Sequence, residues 1–193
     1  TRWATAETSF KFHASCRHTH PAADALQTLM KQNQLKADDI VKVTAHVHQG
    51  AIDVLGPVTD PQTIHQSKFS MGFVLAMIAT LGRAALADFT DKSLKNNELR
   101  SFHDRVTMVL DPEVDGAYPR RWLGRVSVQT RDGRTLECRV DTPKGDPDNT
   151  LSRTELEDKA QRLVSYSGAA TADEMKQVIA RIWRLRNESK IGR

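Results

Sequence analysis

Residues 11–20, KFHASCRHTH, gather three histidines, a lysine, an arginine and one of the chain's two cysteines. Such side chains bind metal, move protons or hold anions, and three chemistries compete for them. A metal site would use Cys16, His18 and His20, because zinc accepts thiolate and imidazole ligands. The i, i+2 spacing of the two histidines matches none of the common zinc arrangements, so the expectation is that no metal is bound. His46 and His48 repeat that spacing on a stretch that alternates like a strand, which is expected to put both on the solvent face. A nucleophilic cysteine would be Cys16, which stands among cations just before a helix, where a thiolate is stabilised. It has no identifiable Asn/Asp–His partner. Anion binding with proton transfer would use Lys11 and Arg17 to hold carboxylates. The N-terminus of the helix opening near Pro21 favours anions, and a histidine there serves as acid or base near neutral pH. Beside all three stands the plain alternative that histidines before a helix cap it and lysines are solvated.

The elements that must position these residues read as an α+β chain. HPAADALQTLMKQNQL (20–35) carries apolar residues at helical spacing, with Pro21 in the first turn. DIVKVTAHVHQ (39–49) alternates like a strand with one irregularity, and residues 51–63 read as a loop rich in Pro, Gly and Asp. Residues 67–86 predict a largely buried helix stopped at Gly82, and 88–106 short helices joined by turns. VTMVLD (106–111) reads as a strand, and GRVSVQTRDGRTLECRV (124–140) as a β-hairpin on a two-residue Asp132-Gly133 turn. Ser152/Glu155 and Thr171/Glu174 form capping boxes that open two helices, over 152–168 and 171–189. The expected architecture is a small, mostly antiparallel sheet with packed helices, followed by a C-terminal helical segment.

Bulk properties narrow the function. Hydrophobic residues make up 39% and charged residues 27% of 193, the balance of a globular chain. The longest apolar run, MGFVLAMIATLG (71–82), is too short to cross a bilayer, so no membrane partner is expected. The net charge of +4 is split between 118–125 and 180–193 rather than gathered with aromatics in a stripe. That argues against nucleic acid and suits small acidic substrates. Cys16 and Cys138 lie far apart, which excludes an iron–sulfur cluster built by this chain alone and a disulfide framework, and makes a cytoplasmic setting the expectation. The opening TRWATAETSFKF has no initiator methionine, and the expectation is a piece of a longer protein.

FKFHASCRHTHPAADAL (10–26) closely resembles the lysine-containing segment of the MmgE/PrpD family, whose members include 2-methylcitrate dehydratase, cis-aconitate decarboxylase and iminodisuccinate epimerase. Residues 60–83, with KFS at 68–70, resemble the family's A-K-F-S helix, and 124–163 its hairpin, Gly-x-Pro loop and following helix. The likeness covers the carboxy-terminal part of the family only. It implies an α+β lid domain over 11–150, preceded by a linker (1–10) to a missing helical domain, with helices over 151–193 that would pack on that domain. It further implies a cytoplasmic, cofactor-independent lyase of dehydratase type, acting on a small hydroxy di- or tricarboxylate such as 2-methylcitrate in propionate metabolism, and a homodimer. Lys11 matches the family's active-site lysine; His20 and His18 are expected to transfer protons, and Cys16, Arg17, Lys68 and Ser70 to meet the substrate. Cys16 and Phe73 replace a histidine and a tyrosine of the decarboxylase, which favours the dehydratase or epimerase reactions. An epimerase on the same cleft, and a non-catalytic interaction module, are the alternatives.

Overall fold

The structure, a computed structural model, describes residues 3–187; the expectations that fall on Thr1, Arg2 and 188–193, the end of the last helix among them, lie outside it. The chain forms two compact units, Thr1–Thr150 and Leu151–Arg193.

In the first unit, α1 (His20–Asn33) begins with Pro21 in its first turn and ends on Gln34 in the left-handed region, φ 54°. Strand β1 (Ile40–Val47) follows. Next come α2 (Gln49–Leu55), α3 (Ile64–Lys68), α4 (Met71–Leu81), α5 (Asp91–Leu94) and α6 (Asn97–His103). Strand β2 (Val106–Leu110), helix α7 (Pro112–Ala117), and strands β3 (Gly124–Thr130) and β4 (Thr135–Val140) complete it. Among the described residues four strands make one sheet in the order β2-β1-β3-β4. Two of the three pairings, β1 with β3 and β3 with β4, are antiparallel; the helical crossover from β1 to β2 makes that pair parallel.

One face of the sheet is apolar. Val43, Ala45 and Val47 of β1 alternate inward, as do Val126 and Val128 of β3. Ile40 is also fully buried although it lies three residues before Val43, because the register shifts between Ile40 and Lys42. That bulge is the irregularity in the sequence pattern, and it leaves Val41 outside. Helices α1 and α4 pack in this core, α1 through Ala22, Ala25, Leu26 and Leu29. Burying each leucine contributes roughly 1.5–3 kcal/mol, and Leu26→Ala would cost about 2–5 kcal/mol.

Helix α4 is buried almost all round and stops at Gly82, as expected. Its start differs from the single helix predicted over 67–86. The chain leaves the helix after Lys68, and Ser70 caps a new one by accepting the Phe73 N–H at 3.3 Å. The predicted loop 51–63 likewise gives way to α2 over its first residues, where Ala51 and Leu55, four apart, are both buried. The hairpin is present, but four residues, 131–134, join its strands. A two-residue type I′ turn needs positive φ at both central residues; Gly133 has it, at 85°, and Asp132 does not. Helix α7 has no counterpart in the sequence reading, although Asp111, which caps it by accepting the Glu113 and Val114 N–H groups, with Pro112 in the first turn, is its signal.

In the second unit, α8 (Arg153–Ser167) and α9 (Ala172–Arg184) open on the two expected capping boxes. The Arg153 guanidinium lies 4.7 Å from the centre of the Trp183 ring. Among the described residues no helix is long and apolar enough to cross a membrane.

Candidate active site

The 11–20 segment is an irregular loop that tightens into a 3₁₀ turn, Arg17–Thr19, and runs directly into α1. The backbone of this segment, together with Phe10 just before it, is tied to three other segments. Phe10 N–H donates to the Gly145 carbonyl at 2.7 Å, Ala14 N–H to Ala84 at 2.9 Å, and Cys16 N–H to Lys68 at 2.8 Å. Within the loop, the Thr19 hydroxyl donates to the Cys16 carbonyl at 2.8 Å, so the 2.8 Å contact between Ser15 Oγ and Thr19 Oγ1 has Ser15 as donor. The buried Asp24 of α1 takes His13 Nε2 on one oxygen at 2.7 Å and the Lys144 backbone N–H on the other at 2.6 Å. One carboxylate therefore joins the loop, the helix and the 143–146 turn.

Lys11 is exposed, and its ammonium donates to the Ser15 carbonyl at 3.3 Å. His20 is buried, and its Nε2 donates to the same carbonyl at 3.4 Å. Its other nitrogen, Nδ1, is buried without a partner among the described residues. Burial first, then the neighbouring His13, with Arg17 and Lys11 beyond it, lower the His20 pKa to about 3. A neutral imidazole with Nε2–H bound to the carbonyl satisfies this geometry.

Arg17 forms an ion pair with the buried Asp146 and lies over the Trp122 ring, 4.8 Å from its centre. The next residue, His18, is half-buried and meets His48: Nδ1 of His18 lies 3.2 Å from Nε2 of His48. His48 stacks on Tyr118, with ring centres 3.8 Å apart and planes 8° from parallel. Trp122 lies beside both histidines. Burial, and then Arg17, hold the His18 pKa below its usual value; burial and His18 lower that of His48 to about 4.

The structure brings Lys11, His20, Arg17 and His18 onto one braced loop and attaches the loop to Lys68 through the Cys16 N–H. The Lys68 ammonium sits over the Phe89 ring, 5.5 Å from its centre. Ser70 is fully buried, and its hydroxyl oxygen is engaged as the α4 cap. Cys16 is partly buried against the core, and both cysteines are free thiols. His48 departs from expectation: it lies beyond the end of β1, 4% exposed, because the chain turns there into α2. The cluster formed by His48, Tyr118, Trp122, Asp146 and Asp24 was not visible in the spacing. These residues reach the loop from 118–146, from the end of β1 and from inside α1.

His46 does lie on the open face, where its Nε2 is 2.8 Å from Ser127 Oγ and its Nδ1 is 3.4 Å from Asp111. This Ser–His–Asp order is not a hydrolase site. The Ser127 hydroxyl donates to Glu137 at 3.0 Å, and its strand is paired on both sides, leaving no free N–H groups to hold an oxyanion. Among the described residues, no three or more His, Cys, Asp or Glu side chains are grouped to hold a metal ion.

The MmgE/PrpD C-terminal domain matches residues 13–185, a stretch that holds the loop from His13 onward, the sheet and both helices of the second unit; Lys11 lies two residues before it. A search of curated proteins finds no match. A family match over most of the chain, in a mixed α+β fold whose motifs stand in the family's order, makes this chain a member of the MmgE/PrpD family, of its C-terminal domain type.

Proposed function

We propose that the chain supplies one side of the active site of a cofactor-independent carbon–oxygen lyase, which removes water from a small hydroxy di- or tricarboxylate such as 2-methylcitrate. The observation that carries this reading is the placement of Lys11. Lys11 is exposed, with its ammonium on the Ser15 carbonyl, at the start of a loop held by three backbone hydrogen bonds to other segments and by Asp24. A cation fixed in this way needs no reorganisation when charge develops beside it. In the elimination, a base takes the proton α to a carboxylate and that electron pair forms the double bond. The carbon–oxygen bond then breaks, and hydroxide leaves as water after accepting a proton. Lys11 stabilises the enolate-like charge on the carboxylate, with Lys68 as a second cation near the loop. His18 provides the imidazole that is not sealed in the core, and His20, buried, holds the Ser15 carbonyl and hence the loop. Arg17 is already neutralised by Asp146, so its part is to brace the loop from the Asp146 side.

The other side of the cleft belongs, in this reading, to the helical domain that the family resemblance implies. The test is an assay of the protein joined to that domain against 2-methylcitrate, citrate, cis-aconitate and iminodisuccinate. Dehydration of a hydroxy-tricarboxylate that disappears in Lys11→Ala supports the lyase. Epimerisation without water loss, or turnover indifferent to Lys11, overturns it.

A further inference from the structure

We propose that His48 is a positioning residue for His18, fixing it in the tautomer whose proton sits on Nε2. His18 then offers a ligand a hydrogen-bond donor and not a base. The contact itself, 3.2 Å between His18 Nδ1 and His48 Nε2, leaves room for one proton between two nitrogens. Both rings are neutral near pH 7, since burial lowers both pKa values, with Arg17 adding to the effect on His18 and His18 to that on His48. Two arrangements remain. If His18 donated, His48 would have to carry its proton on Nδ1. That atom is buried and has no partner among the described residues, and an orphaned buried N–H is the rarer and costlier defect.

The space around His48 Nδ1 is tight. His48 immediately precedes α2, and a methyl group on Gly50 would come within 3.3 Å of this nitrogen. The first-turn N–H groups of Gln49, Ala51 and Ile52 are spent on Asp115 Oδ1 and on the His48 carbonyl, so none of them reaches Nδ1. The Tyr118 ring stacked on His48 keeps the imidazole from turning to exchange its nitrogens. His48 therefore donates from Nε2, His18 accepts at Nδ1, and the His18 proton is on Nε2. Among the described residues that nitrogen has no hydrogen-bond partner, and it is not one of the buried orphans.

The outward nitrogen of His18 already carries its proton and has no lone pair to take an α-proton, because the ring's basic nitrogen is engaged by His48. It is suited to donating to a carboxylate oxygen as negative charge grows there. This second step rests on the lyase reading above; the tautomer does not. The proton acceptor is then expected outside this loop.

The test is nitrogen NMR on the full chain at pH 7, with His18 and His48 assigned by His18→Gln and His48→Gln. Both histidines should show a protonated Nε2 and an unprotonated Nδ1. His48→Gln, whose amide can still donate, should leave the His18 tautomer in place. His48→Leu should turn His18 into a mixture. A protonated Nδ1 on His18 in the unaltered protein, or a His18 spectrum unchanged by His48→Leu, overturns the proposal. Because the unaltered protein gives the main readout, a poorly folded variant does not decide the outcome. In the active enzyme, His48→Leu should lower kcat by about tenfold or more while His48→Gln retains most of it, since loss of the orienting partner scrambles the tautomer. If no carboxylate is turned over at all, the lyase reading falls while the spectrum still decides the tautomer.

Discussion

Lys11 and His20 meet at one atom: the ammonium and the imidazole Nε2 lie 3.3 and 3.4 Å from the carbonyl oxygen of Ser15. A carbonyl has two lone pairs, so both donors are satisfied together. One member of the pair is exposed and charged, and the other is sealed in the core and neutral. The exposed cation is thereby seated on the same carbonyl that the first residue of α1 holds from the core side.

Removing the cation should affect turnover far more than stability. Lys11→Ala deletes one long hydrogen bond at an exposed position, a change of about 1 kcal/mol or less. Loss of a fixed charge at a developing oxyanion costs roughly 10²–10³ in rate. Steady-state kinetics of the complete enzyme, with thermal unfolding of the same variant, checks both halves. Unchanged kcat/KM would make Lys11 an ordinary solvated lysine.

Acid should destabilise the first unit well above the range where its carboxylates titrate. His20 has a pKa of about 3 in the fold against 6.5 for an unconstrained histidine. Between those values the unfolded chain binds the proton and the folded chain does not, so stability falls as pH drops below 6.5 and levels off near 3. His48, lowered to about 4, acts in the same direction. The combined loss should amount to a few kcal/mol. Urea unfolding from pH 7 to pH 4 should show this decline, and His20→Gln, which keeps a donor for Ser15 and cannot titrate, should flatten it. An equally steep decline in the variant would locate the acid sensitivity elsewhere.

Two glycines in the left-handed region should behave differently. At Gly145, φ 98°, a Cβ would lie 2.0 Å from the Phe10 carbonyl oxygen. At Gly133, φ 85°, it would meet nothing within 4 Å. Gly133→Ala should therefore cost only the backbone strain, about 1–2 kcal/mol. Gly145→Ala adds a clash with backbone that cannot move without breaking the Phe10 hydrogen bond and shifting Asp146 from Arg17. Thermal denaturation should place Gly145→Ala well below Gly133→Ala. Equal melting temperatures would show that the 143–146 turn yields freely.

What could be read from the sequence was what short spans determine. The two capping boxes, the glycine stop at Gly82 and the alternation of β3 are local, and each is present. The motif order that identifies the family is also linear. The loop's chemistry was legible only as a list of residue types. Arg17 is joined to Asp146 across 129 positions and His18 to His48 across 30, and no spacing rule connects them. His48 was misplaced for a definite reason: alternation in β1 ends at Val47, one residue before it, and the turn into α2 redirects the ring inward. The two-residue hairpin turn failed on a single dihedral, that of Asp132.

The last helix should make the chain associate with itself. Met175, Val178, Ile179, Ile182 and Trp183 recur at the spacing of one helical face. Val178, Ile182, Trp183 and Leu185 are 47, 57, 39 and 46% exposed. Apolar groups gathered on one stripe, unlike scattered ones, gain by excluding water together. Sedimentation of the chain at rising concentration should therefore show reversible association. Val178→Lys with Ile182→Lys should abolish it with little change in melting temperature, because both side chains are already half in water. Adding the helical domain implied by the family resemblance should suppress it too, by covering the same stripe. A chain that sediments as a monomer at every concentration, with or without the two lysines, would show that this face does not drive assembly.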